Sequence, residues 1–191
     1  MTILAVVISL YPVAFAFVPG ADGLFNSKDE VLLASTIYKP LFYTHTSFGG
    51  IALLFGSFQF FPKWRAKRLD LHRTFGKIYV VCVLLSGLAG IYVSLYATGG
   101  MVSILGFLGL AISWLLTTIM AYTSIRKGNV TAHQKWMLRS YALCFAAVTL
   151  RIYLGISAAF GIAFMTIYPM LAWLSWVPNL MYVELRIAKL K

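Results

Sequence analysis

Three histidines, an arginine inside an apolar run and a glutamate near the C-terminus carry most of the chemistry this sequence could perform. His72 and His133 open two apolar stretches, in LHRTFGKIY and AHQKWMLRSY. Two neutral imidazoles approaching from different helices could take the axial positions of a b-type haem. Both also lie among cations, where an interfacial histidine needs no cofactor. His45 and Arg151 form a second candidate group. The arginine could clamp a carboxylate or a cofactor propionate while the histidine coordinates or moves a proton. The alternative for Arg151 is satisfaction by helix-end carbonyls, tyrosine hydroxyls and interfacial water. Arg139 and Glu184 are read as a structural ion pair, with a proton-carrying glutamate as the alternative.

No soluble-enzyme fingerprint competes with these residues. A Walker loop, a dinucleotide glycine motif, an HExxH helix and a GxSxG elbow are all missing, so no catalytic residue or metal set is assigned. Only five acidic residues occur, three of them at 22, 29 and 30, which argues against hydrolysis by a carboxylate pair. Cys82 and Cys144 fall in apolar stretches and read as small buried hydrophobes.

The elements that must position these residues are membrane helices. The chain is 61% hydrophobic and 11% charged, more apolar surface than a 191-residue soluble domain can hide. Crossing a hydrocarbon core of about 30 Å takes about 20 residues. Six segments are long or apolar enough: 3–19, 41–62, 75–97, 101–123, 136–160 and 162–185. The expected fold is all-α, a single membrane domain over 1–191 with six transmembrane helices in one bundle. Segment one is expected at its periphery and segments two to six, 41–185, form its core. Segment one carries Pro12, and Ala-Phe-Ala at 14–16 imitates a signal-peptidase site. It lacks the basic region such a peptide needs, so it is read as a retained helix.

Charge orients the bundle. Thirteen of the 16 cations fall in the link at 63–77, in the link bounded by Arg126 and Arg139, and at the C-terminus. The positive-inside rule places that side, with both termini, in the cytoplasm and the loop at 20–40 outside. The net charge of +11 is thereby explained by anionic lipid headgroups at the cytoplasmic face of the bilayer, without nucleic acid. A bacterial cytoplasmic (inner) membrane is the expected location. At 1.5 Å per residue Arg151 lies roughly 22 Å above Trp136, and His45 roughly 6 Å below the outer boundary, so their depths nearly coincide. A guanidinium facing lipid at mid-helix would cost about 2.5–3.5 kcal/mol. Arg151 is therefore expected to face the bundle and His45, in a pocket for an external anion.

Lipid gives helices no hydrophobic reason to associate, so small residues should mark the contacts. Gly49, Gly50 and Gly56, then Ser86, Gly87 and Gly90, then Gly106, Gly109 and Ser113 supply such surfaces. Gly99-Gly100 marks the tightest turn, and Pro178 with Asn179 marks a broken or polar stretch. The two histidine-containing links echo one another, which would relate segments two–three and four–five as hairpins.

HTSFGGIALLFGSFQFFP, LHRTFGKIYV, SGLAGIY, GNVTAHQKWMLRSYALCFAAVTLRIYL and WVPNLMYVEL together resemble the prokaryotic membrane proteins grouped as domain of unknown function 2306. His133, Trp136, Met137 and Arg139 are the most specific part of that resemblance, which implies a multi-helix membrane domain and no activity. A looser similarity is to the haem-carrying b-type cytochromes of the ascorbate-reducing kind, whose histidine pairs join diagonal helices. His72 and His133 match one inner pair by helix order. His45 has no histidine on segment four to complete an outer pair. The sequence thus points first to b-haem- or quinone-linked redox work. The alternatives are a small permease-like protein recognising an anionic solute and a non-catalytic assembly subunit. Discontinuous transmembrane helices would favour transport, and a flat slot between His72 and His133 would favour haem.

Overall fold

A computed structural model of the chain describes residues 2–12 and 27–189, and no strand occurs among them. The elements are α1 (Thr2–Ser9), α2 (Glu30–Leu33), α3 (Tyr38–Phe58), α4 (Pro62–Lys67), α5 (Leu69–Ser94), α6 (Gly100–Arg126), α7 (Val130–Cys144), α8 (Ala146–Ala159), α9 (Phe164–Leu174) and α10 (Val177–Ala188). Among the described residues three helices are long and apolar enough to cross a membrane: α5, α6, and α7–α8 taken together. The second half of segment one and part of the loop at 20–40 fall outside the described residues.

The helices depart from the apolar segments for identifiable reasons. Helix α5 starts at Leu69 rather than at 75, because its first turn is polar yet helical. Hydropathy marks the hydrocarbon crossing, and a helix can extend past it. Segment two stops early: α3 ends at Phe58, and Pro62 starts α4, where its missing N–H costs nothing. Segment five runs on through Phe145, which keeps right-handed helical dihedrals and donates its N–H to the Tyr141 carbonyl at 2.8 Å, so α7 and α8 form one 30-residue helix with a single irregular residue. Segment six is interrupted at Ser175–Trp176, where Pro178 cannot donate to the carbonyl four residues back.

Packing order follows chain order. Helix α3 lies against α5, α5 against α6, α6 against α7, and α7 returns to α3, which closes a four-helix ring. Helix α9 packs on α6 and α8, α10 on α7, and α1 on α3 and α8. Gly99, at φ +96°, and Gly100, at φ +73°, turn the chain sharply between α5 and α6. The core gathers Leu53 of α3, Tyr79 and Val83 of α5, Trp114 of α6 and Leu143 of α7. Cys82 and Cys144 are buried there as free thiols.

Small residues create the close approaches. A Cβ on Gly56 would stand 2.7 Å from the Tyr141 ring and 2.9 Å from the Tyr79 ring, and one on Gly87 would stand 2.6 Å from Leu115. Across the ring, the Tyr79 hydroxyl lies 2.7 Å from the Ser140 hydroxyl, which lies 2.6 Å from that of Thr118. Trp114 donates its indole N–H to Tyr79 at 3.3 Å. This chain of polar groups ties α5, α6 and α7 together where lipid offers no partner.

Gly56→Ala should therefore lower stability by about 1–3 kcal/mol, because two buried rings must move to admit one methyl group. Gly155→Ala is the control, since a Cβ there meets nothing within 4 Å. Thermal unfolding in detergent checks both; an unchanged midpoint for Gly56→Ala would contradict this account of the α3–α7 contact.

Candidate functional site

A cavity of about 770 Å³ opens among α1, α3, α5, α6, α8 and α9. Its wall is mostly apolar, with Leu53, Phe107, Leu110, Trp114 and Leu150 among its members. The volume falls within the range of small-molecule sites. His45 and Arg151 both line it, with Lys28, Tyr38, Tyr168 and Ser175. No carboxylate belongs to the wall among the described residues.

His45 is held by α5. Its Nδ1 lies 2.9 Å from the Ser86 carbonyl, and the Ser86 hydroxyl donates to the His45 carbonyl at 2.8 Å. Gly90 leaves room for the ring, since a Cβ there would stand 2.8 Å from Nδ1. An Nδ1–H donated to a carbonyl fixes the neutral ring as the tautomer with an acceptor at Nε2.

Among the described residues, Arg151 has fewer partners than a buried guanidinium needs. One Nη1–H reaches the Ala147 carbonyl at 2.9 Å, and its Cζ stands 4.2 Å from the centre of the Tyr11 ring. Its Nε is buried with no hydrogen-bond partner among those residues. The charge stays inside the bundle, with donor capacity left over. Lys28, in the loop before α2, donates to the Tyr96 carbonyl and, at 2.8 Å, to the Thr98 hydroxyl. It also borders a smaller recess of about 220 Å³ with Asp29. Partial burial pushes the Lys28 ammonium below the usual lysine range, and Asp29 acts in the opposite direction.

The irregular residue of α7–α8 and the break between α9 and α10 both adjoin the cavity, through Cys144, Ala146 and Ser175. Asn179 joins them. Its amide donates to Thr149 Oγ1 at 2.9 Å and to the Ser175 carbonyl at 2.9 Å, with a longer contact to the Ala142 carbonyl at 3.4 Å. The Ser175 hydroxyl is buried without a partner among the described residues.

A family model of predicted membrane proteins, DUF2306, matches residues 42–187. The chain belongs to that family. No curated protein and no solved structure matches it. The DUF2306 match covers His45, His72, His133, Arg139, Arg151 and Glu184, while α1, Lys28 and Tyr38 of the cavity wall lie before it. The similarity to haem-carrying cytochromes finds no support in these comparisons.

The remaining pairs sit elsewhere in this DUF2306 chain. His72 lies fourteen residues before Ser86 on α5, roughly 20 Å along the helix from His45. His133 Nδ1 lies 2.9 Å from the Ala121 carbonyl, while His72 Nδ1 is buried without a partner among the described residues. Neither histidine lines either cavity, so the flat slot that an axial pair requires is not formed by these walls. Among the described residues no group of three or more His, Cys, Asp or Glu is placed to hold a metal ion. Arg139 and Glu184 meet in a forked contact, Nε to Oε1 at 2.5 Å and Nη2 to Oε2 at 2.7 Å, with the guanidinium 4.6 Å over the Trp136 ring.

Lys28, Tyr168 and Ser175 do not stand out in the sequence. Lys28 reads as an ordinary loop cation, and nothing in a hydropathy pattern shows that a loop folds back over a cavity. Pro178 is the one available signal for Ser175.

The Arg139–Glu184 contact is forked, but the Glu184 side chain keeps 47% of its surface exposed, which weakens the charge attraction. A double-mutant cycle with Arg139→Gln and Glu184→Gln should give a coupling of about 0.5–1 kcal/mol. A coupling indistinguishable from zero in unfolding measurements would reduce the pair to a contact without energetic weight.

Proposed function

We propose that this protein is a multi-pass protein of the bacterial cytoplasmic membrane that recognises an amphiphilic anion in the Arg151 cavity, as part of a permease-like role. The observation that carries the reading is the wall composition. A large apolar cavity holds a guanidinium with an unsatisfied Nε, a histidine whose Nε2 is an acceptor and a lysine at its edge, and no carboxylate among the described residues lines it. An apolar chain with an anionic head matches both parts of that wall, and Arg151 would bind the head by charge-assisted hydrogen bonds. The interruption between α9 and α10 beside the cavity adds to the case for transport, since broken helices near a central site are how many transporters expose polar groups. The haem-linked reading loses ground because His72 and His133 stand apart from this cavity.

Dodecanoate and its neutral homologue dodecanol, titrated into the purified protein in nanodiscs, test the proposal. Dodecanoate should bind more tightly. Arg151→Leu should weaken it by about tenfold to a hundredfold, the range for one hydrogen-bonded charge. Arg151→Lys should lie between, because an ammonium keeps the charge and loses the planar fork. Equal binding of the two homologues, or full binding by Arg151→Leu, overturns the reading.

Six crossings with both termini cytoplasmic complete the proposal, resting on the cations at 63–77 and beside Arg126. A single cysteine introduced as Arg68→Cys should resist an impermeant maleimide in intact cells and react after permeabilisation. Labelling in intact cells would reverse the orientation.

A further inference from the structure

A second group of unsatisfied polar atoms lies at the opposite end of the bundle. Gln59 caps the C-terminus of α3 and keeps only 5% of its surface exposed, yet its Nε2 has no hydrogen-bond partner among the described residues. Its Oε1 is the side-chain atom nearest Gly76, 3.9 Å from where a Cβ would stand. Gly76 lies one turn beyond His72 on the same helix. His72 has a buried Nδ1 that also lacks a partner among those residues. Two such atoms within about a helical turn of one another are unusual, because leaving a buried polar group unpaired costs about 1–3 kcal/mol.

The charges acting on His72 share one sign. Arg65 from α4, Arg73 from α5 and His133 from α7 all act electrostatically on His72, and no carboxylate among the described residues does. The nearby Asp70 faces Arg68 at 3.8 Å with both side chains largely exposed. His133 has already committed its Nδ1 to the Ala121 carbonyl. Arg65 is half-buried on α4, which packs on α5, and its neighbour Trp64 stacks on Phe75 with ring centroids 5.5 Å apart.

We propose that Gln59, His72 and Arg65 form a binding site for a phosphate group, separate from the Arg151 cavity. The Gln59 amide and a His72 N–H supply neutral donors, and the Arg65 fork supplies a charge-assisted pair matched to phosphate geometry. The chemistry is shared by two sources, an anionic phospholipid headgroup and a free phosphate. The site does not depend on what occupies the Arg151 cavity, since the two lie about 20 Å apart along α5.

The test uses the full chain. One arm measures retention of phosphatidylglycerol by native mass spectrometry; the other titrates inorganic phosphate into protein held in nanodiscs of neutral phosphatidylcholine. Phosphatidylglycerol retention without phosphate binding assigns a lipid headgroup, and phosphate binding assigns a soluble anion. Gln59→Met keeps the length of the side chain and removes no charge, so it leaves diffuse attraction unchanged. It should weaken whichever ligand binds by about tenfold. Arg65→Ala, on a short surface helix, should weaken it at least as much and guards against a folding defect in the first variant. Arg126→Ala, on the same side but outside the cluster, should leave binding unaltered. Absence of binding in both arms overturns the proposal. So does wild-type binding by Gln59→Met in folded protein, or an Arg126→Ala loss equal to that of Arg65→Ala.

Discussion

A guanidinium cannot be left against hydrocarbon, and much of this bundle can be understood as the arrangement that keeps Arg151 out of it. The charge sits on α8, inside the bundle, with Tyr11 beneath it and the Ala147 carbonyl as its acceptor. Turning α8 to bring Arg151 inward makes it a wall of the cavity it shares with His45. The same constraint applies to each buried hydroxyl and indole of the ring. Tyr79, Ser140, Thr118 and Trp114 answer it by bonding to one another across three helices.

Such polar contacts need backbones close together, and the glycines provide that. Gly90 lets the imidazole of His45 lie against α5, and Gly49 brings α3 to within 3.1 Å of the Ser86 hydroxyl at the position of a Cβ. The residues that pack the helices are therefore the residues that orient the histidine. Packing and site cannot be varied independently here: a methyl group added at 90 would displace a ring whose Nδ1 is already committed.

Depth is legible in the sequence, and direction is not. A fixed rise per residue relates Arg151 and His45 along the membrane normal from their positions in the chain alone. It says nothing of rotation about the helix axis, which decides that His45 meets Ser86. The break at Ser175–Trp176 is announced by Pro178, a residue that lacks the donor a continuous helix requires. The single irregular residue at Phe145 lies in LCFAAV, with neither proline nor glycine to mark it. Gln59 is inconspicuous because a neutral amide at the end of an apolar run alters neither charge nor hydropathy. The b-type cytochrome similarity rests on two histidines at one level, and a shared level does not create a space between them.

The link between α5 and α6 bears on how the chain enters the membrane. Residues 95–99 read Leu-Tyr-Ala-Thr-Gly and contain neither a carboxylate nor a basic side chain. The far ends of the two helices carry Lys77 and Arg126. Carrying an uncharged tip through hydrocarbon avoids the several kcal/mol that a single lysine or arginine would add, and the sharp glycine turn keeps the two helices of the hairpin side by side during the passage. An uncharged tip on a tight turn is what insertion of α5 and α6 as a single hairpin would require.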